Sequence, residues 1–419
     1  MKVQYLSLKN FRNIEEAVLK PDPGLNLLVG LNGQGKTSII EALSLLATLR
    51  SFRDSKTSHL IRWGAPAGQI DCTISSDDTS HGEWKTDLRL IFQVTDKMAS
   101  KASKIAYINQ KPYSSSIGYL SQRFRSYGQG FHAVTFNPSD HDLIRGNPST
   151  RRAYLDQVLA AENSQYLVAL QKYQRVLIQR NSLLRSLAKS SGLTIPETLS
   201  EFTEQLCKYG CFLVHERLKW LLRVENPLNS MASRITSESV DLRMIYLSNW
   251  APNSKNLSFD NNNLGTIHFT GQAHLPSLEL LERSFWGKVS AFEAVERRMG
   301  YSVVGPHRDD WTFFMGNQVL KGHGSQGEVR SALLALKLAE IALFRKETGH
   351  RPLFLLDDFS SELDEKRRTF LLDYLLETDL QTFVTTTEDL FSKGRLFRLC
   401  NGTVKEGIHD DRRKSAELE

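Results

Sequence analysis

Cysteine is scarce: four in 419 residues, at positions 72, 207, 211 and 400. Cys207 and Cys211 sit inside a helical pattern, and no second pair is present to complete a zinc site. The sequence therefore offers no disulfide framework and no zinc module, and its thiols read as reduced and buried. Long apolar runs are missing too. No stretch approaches the roughly 20 residues of a membrane-spanning helix, and the N-terminus MKVQYLSLKNFRN lacks an apolar signal core, so a soluble, cytoplasmic protein is expected. Net charge is small, with 53 Lys+Arg against 47 Asp+Glu for +6. Only local clustering can make that surplus informative. No internal repeat is apparent.

What is present is apolar content of 40%, enough to fill two cores. Residues 27 to 43 read LLVGLNGQGKTSIIEAL. An apolar strand ends at Val29, a glycine loop follows, and helical spacing begins at Lys36. The loop matches GxxxxGK[ST]. Gly30, Gly33 and Gly35 let backbone N–H groups, with Asn32, Gln34 and Ser38 in the same wall, curl round phosphate oxygens. Lys36 reaches the terminal phosphates, and Thr37 supplies a hydroxyl to Mg²⁺. ATP and Mg²⁺ are the implied cofactors.

Far downstream, Arg351-Pro-Leu-Phe-Leu-Leu-Asp357-Asp358 is a short apolar strand delivering two carboxylates at its C-terminal end, where ligands lie in open α/β sheets. Asp357 would hold Mg²⁺ and Asp358 would orient or deprotonate the attacking water. Between these motifs, Gly324-Ser325-Gln326-Gly327-Glu328 opens a helix of about twenty residues and forms a second anion-binding turn. One nucleotide needs one cradle per subunit. The economical reading is that Ser325 and Gly327 meet the γ-phosphate held by a second copy, making ATP the glue of a homodimer. The turn Ser361-Glu362-Leu363-Asp364 fits the edge of such an interface, or a plain helix cap.

The texture along the chain divides it. Edge-like strands VQYLSL and AVLKP, the P-loop, and strands near 69–74, 87–94 and 105–108 make the first half of an α/β head, assigned to 1–145. Residues 146–300 read as an inserted helical arm. Its two long helices carry apolar residues at alternating steps of four and three, which predicts an antiparallel hairpin about three heptads long. An Asn-rich stretch from Ala251 to Gly265 reads as an exposed loop. The head resumes over 301–400, with β texture at Tyr301 to Pro306, and 401–419 is a flexible charged tail. The fold class is an α/β, ABC-type P-loop ATPase head, mixed sheet plus helices, split in sequence by an inserted α-helical arm. Split heads of this kind suggest DNA-handling proteins such as Rad50 and the SMC family.

Several segments resemble the RecF family of bacterial recombination mediators. They are the stretch from Pro138 through Arg145, Arg151 and Arg152 to Asp156, and Leu355 through Asp357 and Asp358 to Asp364. Leu8-Lys-Asn10-Phe11-Arg12-Asn13, Ser51-Phe52-Arg53 and Gly305-Pro306-His307-Arg308-Asp309-Asp310 are similar as well. Ser139 and His141 depart from the family's pattern, outside the phosphate site. Asp358 stands where ABC ATPases carry Glu. The resemblance implies an ATP-dependent DNA-binding protein of recombinational gap repair and SOS induction. In that role an ATP-driven dimer clamps DNA near gaps or single-strand/duplex junctions, helps load RecA with RecO and RecR, and hydrolyses ATP weakly under DNA stimulation. It also implies that Arg12 touches nucleotide, a structural ion pair being the other reading, and leaves His307 to Asp310 as either a tight turn or an active-site element.

Residues 143 to 190 hold eight cations against two anions, a local +6 that equals the surplus of the whole chain. A second cluster includes Arg53 and Lys56. Such faces neutralise backbone phosphates without reading sequence, and with the resemblance they mark Arg53, Lys56, Arg151 and Arg152 as DNA-contacting. The competing functions are a transporter ATPase and a P-loop phosphotransferase.

Overall fold

The computed structural model describes residues 1–53, 56–75, 85–96, 101–113, 115–121, 131–189, 197–252, 267–269, 275–358, 364–387 and 394–407. They form two compact units, one from residues 1–140 with 340–419 and the other from residues 141–339.

The first unit holds two six-stranded sheets. One is antiparallel, ordered β2 (Ile14–Leu19), β1 (Lys2–Phe11), β4 (Ala67–Ser75), β5 (Lys85–Asp96), β6 (Lys101–Ile108), β7 (Lys111–Tyr113). Alternation is clear in β4, where Ile70, Cys72 and Ile74 are buried, the period-2 signature of a half-covered sheet. The other sheet is ordered β16 (Thr403–Gly407), β15 (Arg395–Cys400), β3 (Leu25–Val29), β14 (Thr382–Thr386), β13 (Leu353–Leu356), β8 (Ala133–Phe136). All its pairings are parallel except β15 with β16. Strands β13 and β14 are buried at every position, as expected of parallel strands covered on both faces. Gln381 joins the two sheets: its amide accepts from Val3 N at 2.6 Å and donates to Val3 O at 2.9 Å and Asp22 O at 2.8 Å.

Helix α1 (Lys36–Thr48) follows β3 and is almost wholly buried, so its apolar run faces protein on every side. Helix α2 (Ser116–Ser121) precedes β8. Residues 401–407 of the tail are structured: Asn401 and Gly402 both take positive φ and close the β15–β16 hairpin. Asn-Gly is the residue pair such a turn favours, so the reading of 401–419 as flexible tail fails for 401–407.

The second unit contains α3 (Asp142–Arg145), α4 (Pro148–Glu162), α5 (Ser164–Lys189), α6 (Glu197–Thr236), α7 (Leu278–Met299), the short α8 (Leu320–His323) and the first part of α9 (Gln326–Thr348). Helices α5 and α6 pack on each other as the heptad spacing predicts, and Tyr166, Leu170, Tyr173 and Leu184 of α5 and Leu199, Leu206 and Leu213 of α6 are buried. The unit is not purely helical. A four-stranded antiparallel sheet runs β10 (Ile267–Phe269), β9 (Leu242–Ser248), β11 (Asp310–Met315), β12 (Gln318–Val319). Residues 301–339 therefore group with the middle of the chain, where the sequence reading set them with the head. The expected strand at Tyr301 to Pro306 is displaced to β11, because Ser302 is drawn into side-chain bonding with Arg180 and Asn181. The turn Ser361-Glu362-Leu363 and most of the Asn-rich loop lie outside the described residues.

After α10 (Glu365–Glu377) the chain enters β14. Among the described residues no helix is long and apolar enough to cross a membrane.

Candidate functional site

Strands β3, β14 and β13 lie side by side and parallel, so their C-terminal ends open on one edge of the sheet. Each delivers one part of the site there. From β3 the chain enters the glycine loop. Gly30 has no room for a side chain, since a Cβ would lie 2.5 Å from Leu399 O. Gly35 takes φ +104° at the mouth of α1, a conformation that other residues adopt only with strain. Asn13 braces the loop, donating to Gly33 O at 2.7 Å and accepting from Ser38 Oγ at 2.9 Å. Gln34 accepts from Asn401 N. Lys36 Nζ donates to Gly30 O, and to Leu31 O at 3.0 Å.

From β13 comes Asp357, 4% exposed. One oxygen, Oδ1, accepts from Thr37 Oγ1 at 2.9 Å across 320 residues of chain, and from Thr385 Oγ1 at 2.9 Å. Thr385 belongs to the intervening β14, and it also accepts from Asp358 N at 2.7 Å. Asp358 itself takes φ +55°, a left-handed conformation that costs a non-glycine residue stability and is common at functional turns.

The electrostatics match this enclosure. Burial pushes the Asp357 carboxyl above its ordinary range, opposed by the two threonine hydroxyls, with neighbouring Asp358 adding to the rise. Burial pulls the Lys36 ammonium down, while the charges of Asp358 and Asp357 act against it. A cation bound to phosphate would relieve both carboxylates. The donor set of one hydroxyl and one or two carboxylates suits Mg²⁺, which usually takes few protein oxygens and completes its shell with phosphate and water.

Around these groups lies a cleft of about 1430 Å³. Its lining includes Asn32, Gly33, Gln34, Gly35, Lys36, Thr37 and Ser38, together with Asp357 and Asp358. Arg12 lines it as well, but its guanidinium is held by buried Glu41, with Nε at 2.9 Å from Oε2 and Nη2 at 2.6 Å from Oε1. Arg53 also faces the cleft, 3.6 Å from Glu41. Lys56 is exposed at the start of the following helical turn. Sequence reasoning overlooked Asn13 as a loop brace, Thr385 as the link between the Asp357 carboxylate and the Asp358 backbone amide, and Glu41 as the anchor of two arginines. The run TFVTT ending in hydroxyls was the available signal for Thr385.

In the second unit, Ser325 and Glu328 cap α9 reciprocally. Ser325 N donates to Glu328 Oε2 at 2.7 Å, and Glu328 N donates to Ser325 Oγ at 3.2 Å. This is a capping box at an exposed helix start. The hydroxyl accepts in that bond, so its own proton points to other acceptors. Ser325's bonds hold the Glu328 carboxyl below the usual range. Gly327 lies in the same first turn.

The basic segment divides on inspection. Arg151 is 1% exposed. Its Nε and Nη2 each reach an oxygen of Asp310 at 2.7 Å, and Nη1 donates to Gly146 O at 2.9 Å. A guanidinium so enclosed meets no outside phosphate, so Arg151 leaves the DNA-contacting set. Arg152 is half-buried and donates to Asp309 O at 2.7 Å. Arg180 is buried against Glu296, Ser302 and Thr203. The exposed cations are instead Arg145 and, along α5, Lys172, Arg175, Arg185 and Lys189. Helix α5 carries no acidic residue at all.

Residues 305–310 are tied into the second unit by side-chain hydrogen bonds. His307 Nε2 lies 3.1 Å from Ser302 O, which can only accept, so Nδ1 is bare and takes the Tyr173 hydroxyl proton at 2.6 Å. Asp309 Oδ2 accepts from Tyr246 at 2.8 Å, and buried Arg217 links Tyr246, Tyr166, Asp156 and Pro306 O.

A glycine loop on a parallel strand, facing an acidic strand end two strands away, defines a P-loop ATPase head of the kind found in SMC proteins. Residues 2–399 match the model of the RecF/RecN/SMC N terminal domain. The chain is 32% identical over 393 residues to the DNA replication and repair protein RecF of Geotalea uraniireducens, covering 92% of this chain and 93% of that protein. It is 31% identical to the RecF of Staphylococcus aureus, with 96% and 100% covered. A solved structure of the recombination mediator protein RecF with ATP in the RecFOR pathway superposes with a TM-score of 0.79 at 27% identity, over 97% of both chains. The Smc head domain bound to the C-terminal domain of ScpA, from Pyrococcus furiosus, shares the fold at a TM-score of 0.53 and 15% identity, over 97% and 95%. The chain belongs to the RecF family.

Proposed function

We propose that this protein is an ATP-gated DNA-binding switch in replication and repair. The observation that carries the reading is the 2.9 Å bond between Thr37 and Asp357, which unites a phosphate loop and an acidic strand end from opposite ends of the chain. In this reading the loop from Gly30 to Ser38 cradles the triphosphate of ATP. Lys36 leaves the loop carbonyls for phosphate oxygens, and Thr37 and Asp357 hold Mg²⁺. The bound cation would neutralise charge developing on the transferred phosphoryl group. Asp358, fixed by Thr385, orients or deprotonates the attacking water. Arg53, reaching the same cleft, serves nucleotide before DNA.

The exposed turn at Ser325 and Gly327 supports an ATP-dependent homodimer in which each subunit's Ser325 meets the γ-phosphate on the other. The acid-free outer face of α5 and the exposed Lys56 support backbone contact with duplex DNA or single-strand/duplex junctions, without sequence preference. The RecF relatives are named for replication and repair, and the matched RecF structure is that of a recombination mediator. These names support a role with RecO and RecR in loading RecA during gap repair and SOS induction, with weak hydrolysis timing release. A transporter ATPase or a metabolite phosphotransferase has no use for a basic helix face of this kind. The deciding experiment measures ATP hydrolysis with and without duplex DNA. Stimulation supports the switch; an unresponsive rate, or DNA binding indifferent to ATP, rejects it.

A further inference from the structure

We propose that Trp63 is the base-stacking side chain of this cleft and that the apolar shelf beside it, Ile61, Ala65 and Val94, receives the purine ring. The proposal deepens the nucleotide-binding reading and rests on it.

The phosphate end of the cleft contains Lys36, Thr37, two carboxylates and loop amides, groups that recognise charge and would hold any nucleoside triphosphate alike. A second group of residues lining the same cleft differs in kind: Ile61, Trp63, Ala65 and Val94 are apolar, with Ser58, His59 and Arg62 beside them. A nucleotide has the same polarity, highly charged at one end and a flat aromatic ring at the other.

Trp63 is 98% exposed, whereas Trp220, Trp250 and Trp311 are fully buried. An indole left in water forgoes the burial that makes tryptophan stabilising elsewhere, and an aromatic side chain held out in this way is typical of binding surfaces. Its backbone is firmly placed. Arg12 N donates to Leu60 O and Arg62 N to Asn10 O, both at 2.9 Å, while Ala65 N donates to Arg62 O at 3.0 Å. Phe11 and Ile61 form a β-bridge, and Val94 N donates to Pro66 O at 3.0 Å. Gly64 turns the chain at φ +83° with open space around it. The indole is therefore presented from a hydrogen-bonded turn fastened to β1 and β5. Neighbouring Arg62 is occupied with Glu15 at 3.0 Å, which leaves the indole as the flat surface on this turn. Stacking on an indole draws on ring area and excluded water, and a purine offers more of both than a pyrimidine.

Calorimetric titration of the full-length protein with ATP, CTP and tripolyphosphate, each with Mg²⁺, tests this. Base–aromatic stacking predicts that Trp63→Ala weakens ATP binding by about 5- to 150-fold. The same variant should leave tripolyphosphate affinity unchanged and abolish the preference for ATP over CTP. Trp63→Phe should restore most of the ATP affinity. The proposal is overturned if Trp63→Ala binds ATP as the wild type does, including a variant that merely loses self-association, or if ATP and tripolyphosphate weaken equally. Failure of the underlying reading looks different: Lys36→Ala would then leave tripolyphosphate binding intact, whatever Trp63 does.

Discussion

Thr37 and Asp357, separated by 320 residues, share a hydrogen bond of 2.9 Å in which the hydroxyl donates to Oδ1. Burial in this site disfavours the charged carboxylate, against the two hydroxyls that donate to Oδ1, and phosphate-bound Mg²⁺ would supply compensating positive charge. Asp357→Asn keeps the shape and removes the charge. ATP binding should lose its Mg²⁺ dependence and hydrolysis should fall about 100-fold or more, the scale of losing a preorganised transition-state contact. Steady-state hydrolysis and titrations with and without Mg²⁺ check this, and an unchanged Mg²⁺ response would refute the metal assignment.

Lys36 is the cation nearest the glycine loop, and its present partners are carbonyls. Lys36→Ala should reduce ATP affinity by about 10- to 150-fold, the usual worth of a charge-assisted hydrogen bond. ATP-dependent retention of DNA in a mobility-shift assay should vanish with it. A variant that still responds to ATP as the wild type does would show that this loop is not the switch.

Ser325→Arg should leave ATP binding by the monomer intact and block the dimer. The change removes a cap that contributes about 1 kcal/mol to α9, so a small loss of thermal stability is expected as well. Sedimentation with ATP and Mg²⁺ decides the matter, and a dimer as tight as wild type counts against the shared site.

Charge on α5 and charge at Arg151 should behave differently. Replacing Lys172, Arg175, Arg185 and Lys189 by Ala should lower DNA affinity and flatten its salt dependence, by about 0.9 log units per log unit of salt for each duplex phosphate that is no longer neutralised. Thermal stability should hardly change. Arg151→Ala should instead destabilise the protein by about 3 kcal/mol, because Asp310 loses its bidentate partner, with no change in salt slope. Equal salt slopes in wild type and the fourfold variant would remove α5 from the DNA surface.

His307 and Asp309 predict opposed pH dependences. Burial lowers His307 to about 4 against Ser302's hydrogen bond, so its stabilising contribution is complete above its unfolded value of 6.5 and is lost as pH falls through 4. Burial raises Asp309 to about 7 against Tyr246 and Arg217, so its contribution is complete below 3.8 and is lost as pH rises through 7. Between pH 4 and 6.5 the two slopes oppose each other. His307→Gln should therefore show stability falling from pH 4 to 7, and Asp309→Asn stability rising from pH 4 to 6.5. Urea unfolding at a series of pH values measures both, and parallel profiles for the two variants would contradict the assignment.

How much was legible depended on how far apart the cooperating residues lie. The P-loop could be read because strand, glycine turn, Lys36 and Thr37 are adjacent, and their local chemistry requires those residue types. The α5–α6 hairpin could be read from heptad spacing alone. Strand β9 was not anticipated, because its partner β11 lies more than sixty residues downstream and its pattern LRMIYLS suits several environments. Arg151 was misplaced for a related reason. A cation in a basic segment carries no mark of burial until Asp310 is brought beside it.

The sequence by itself determined the phosphate chemistry, the family and the helical hairpin, since each is written in contiguous residues whose spacing has a direct physical meaning. Only the tertiary structure decided that Thr385 links the Asp357 carboxylate to the Asp358 backbone amide, that Arg12 is held by Glu41, and that Trp63 stands exposed at the nucleotide cleft. Those facts depend on which strand ends and loops are neighbours in space. Hydrogen bonds a few ångströms long and burial from water fix such relations, and neither is encoded at any single position.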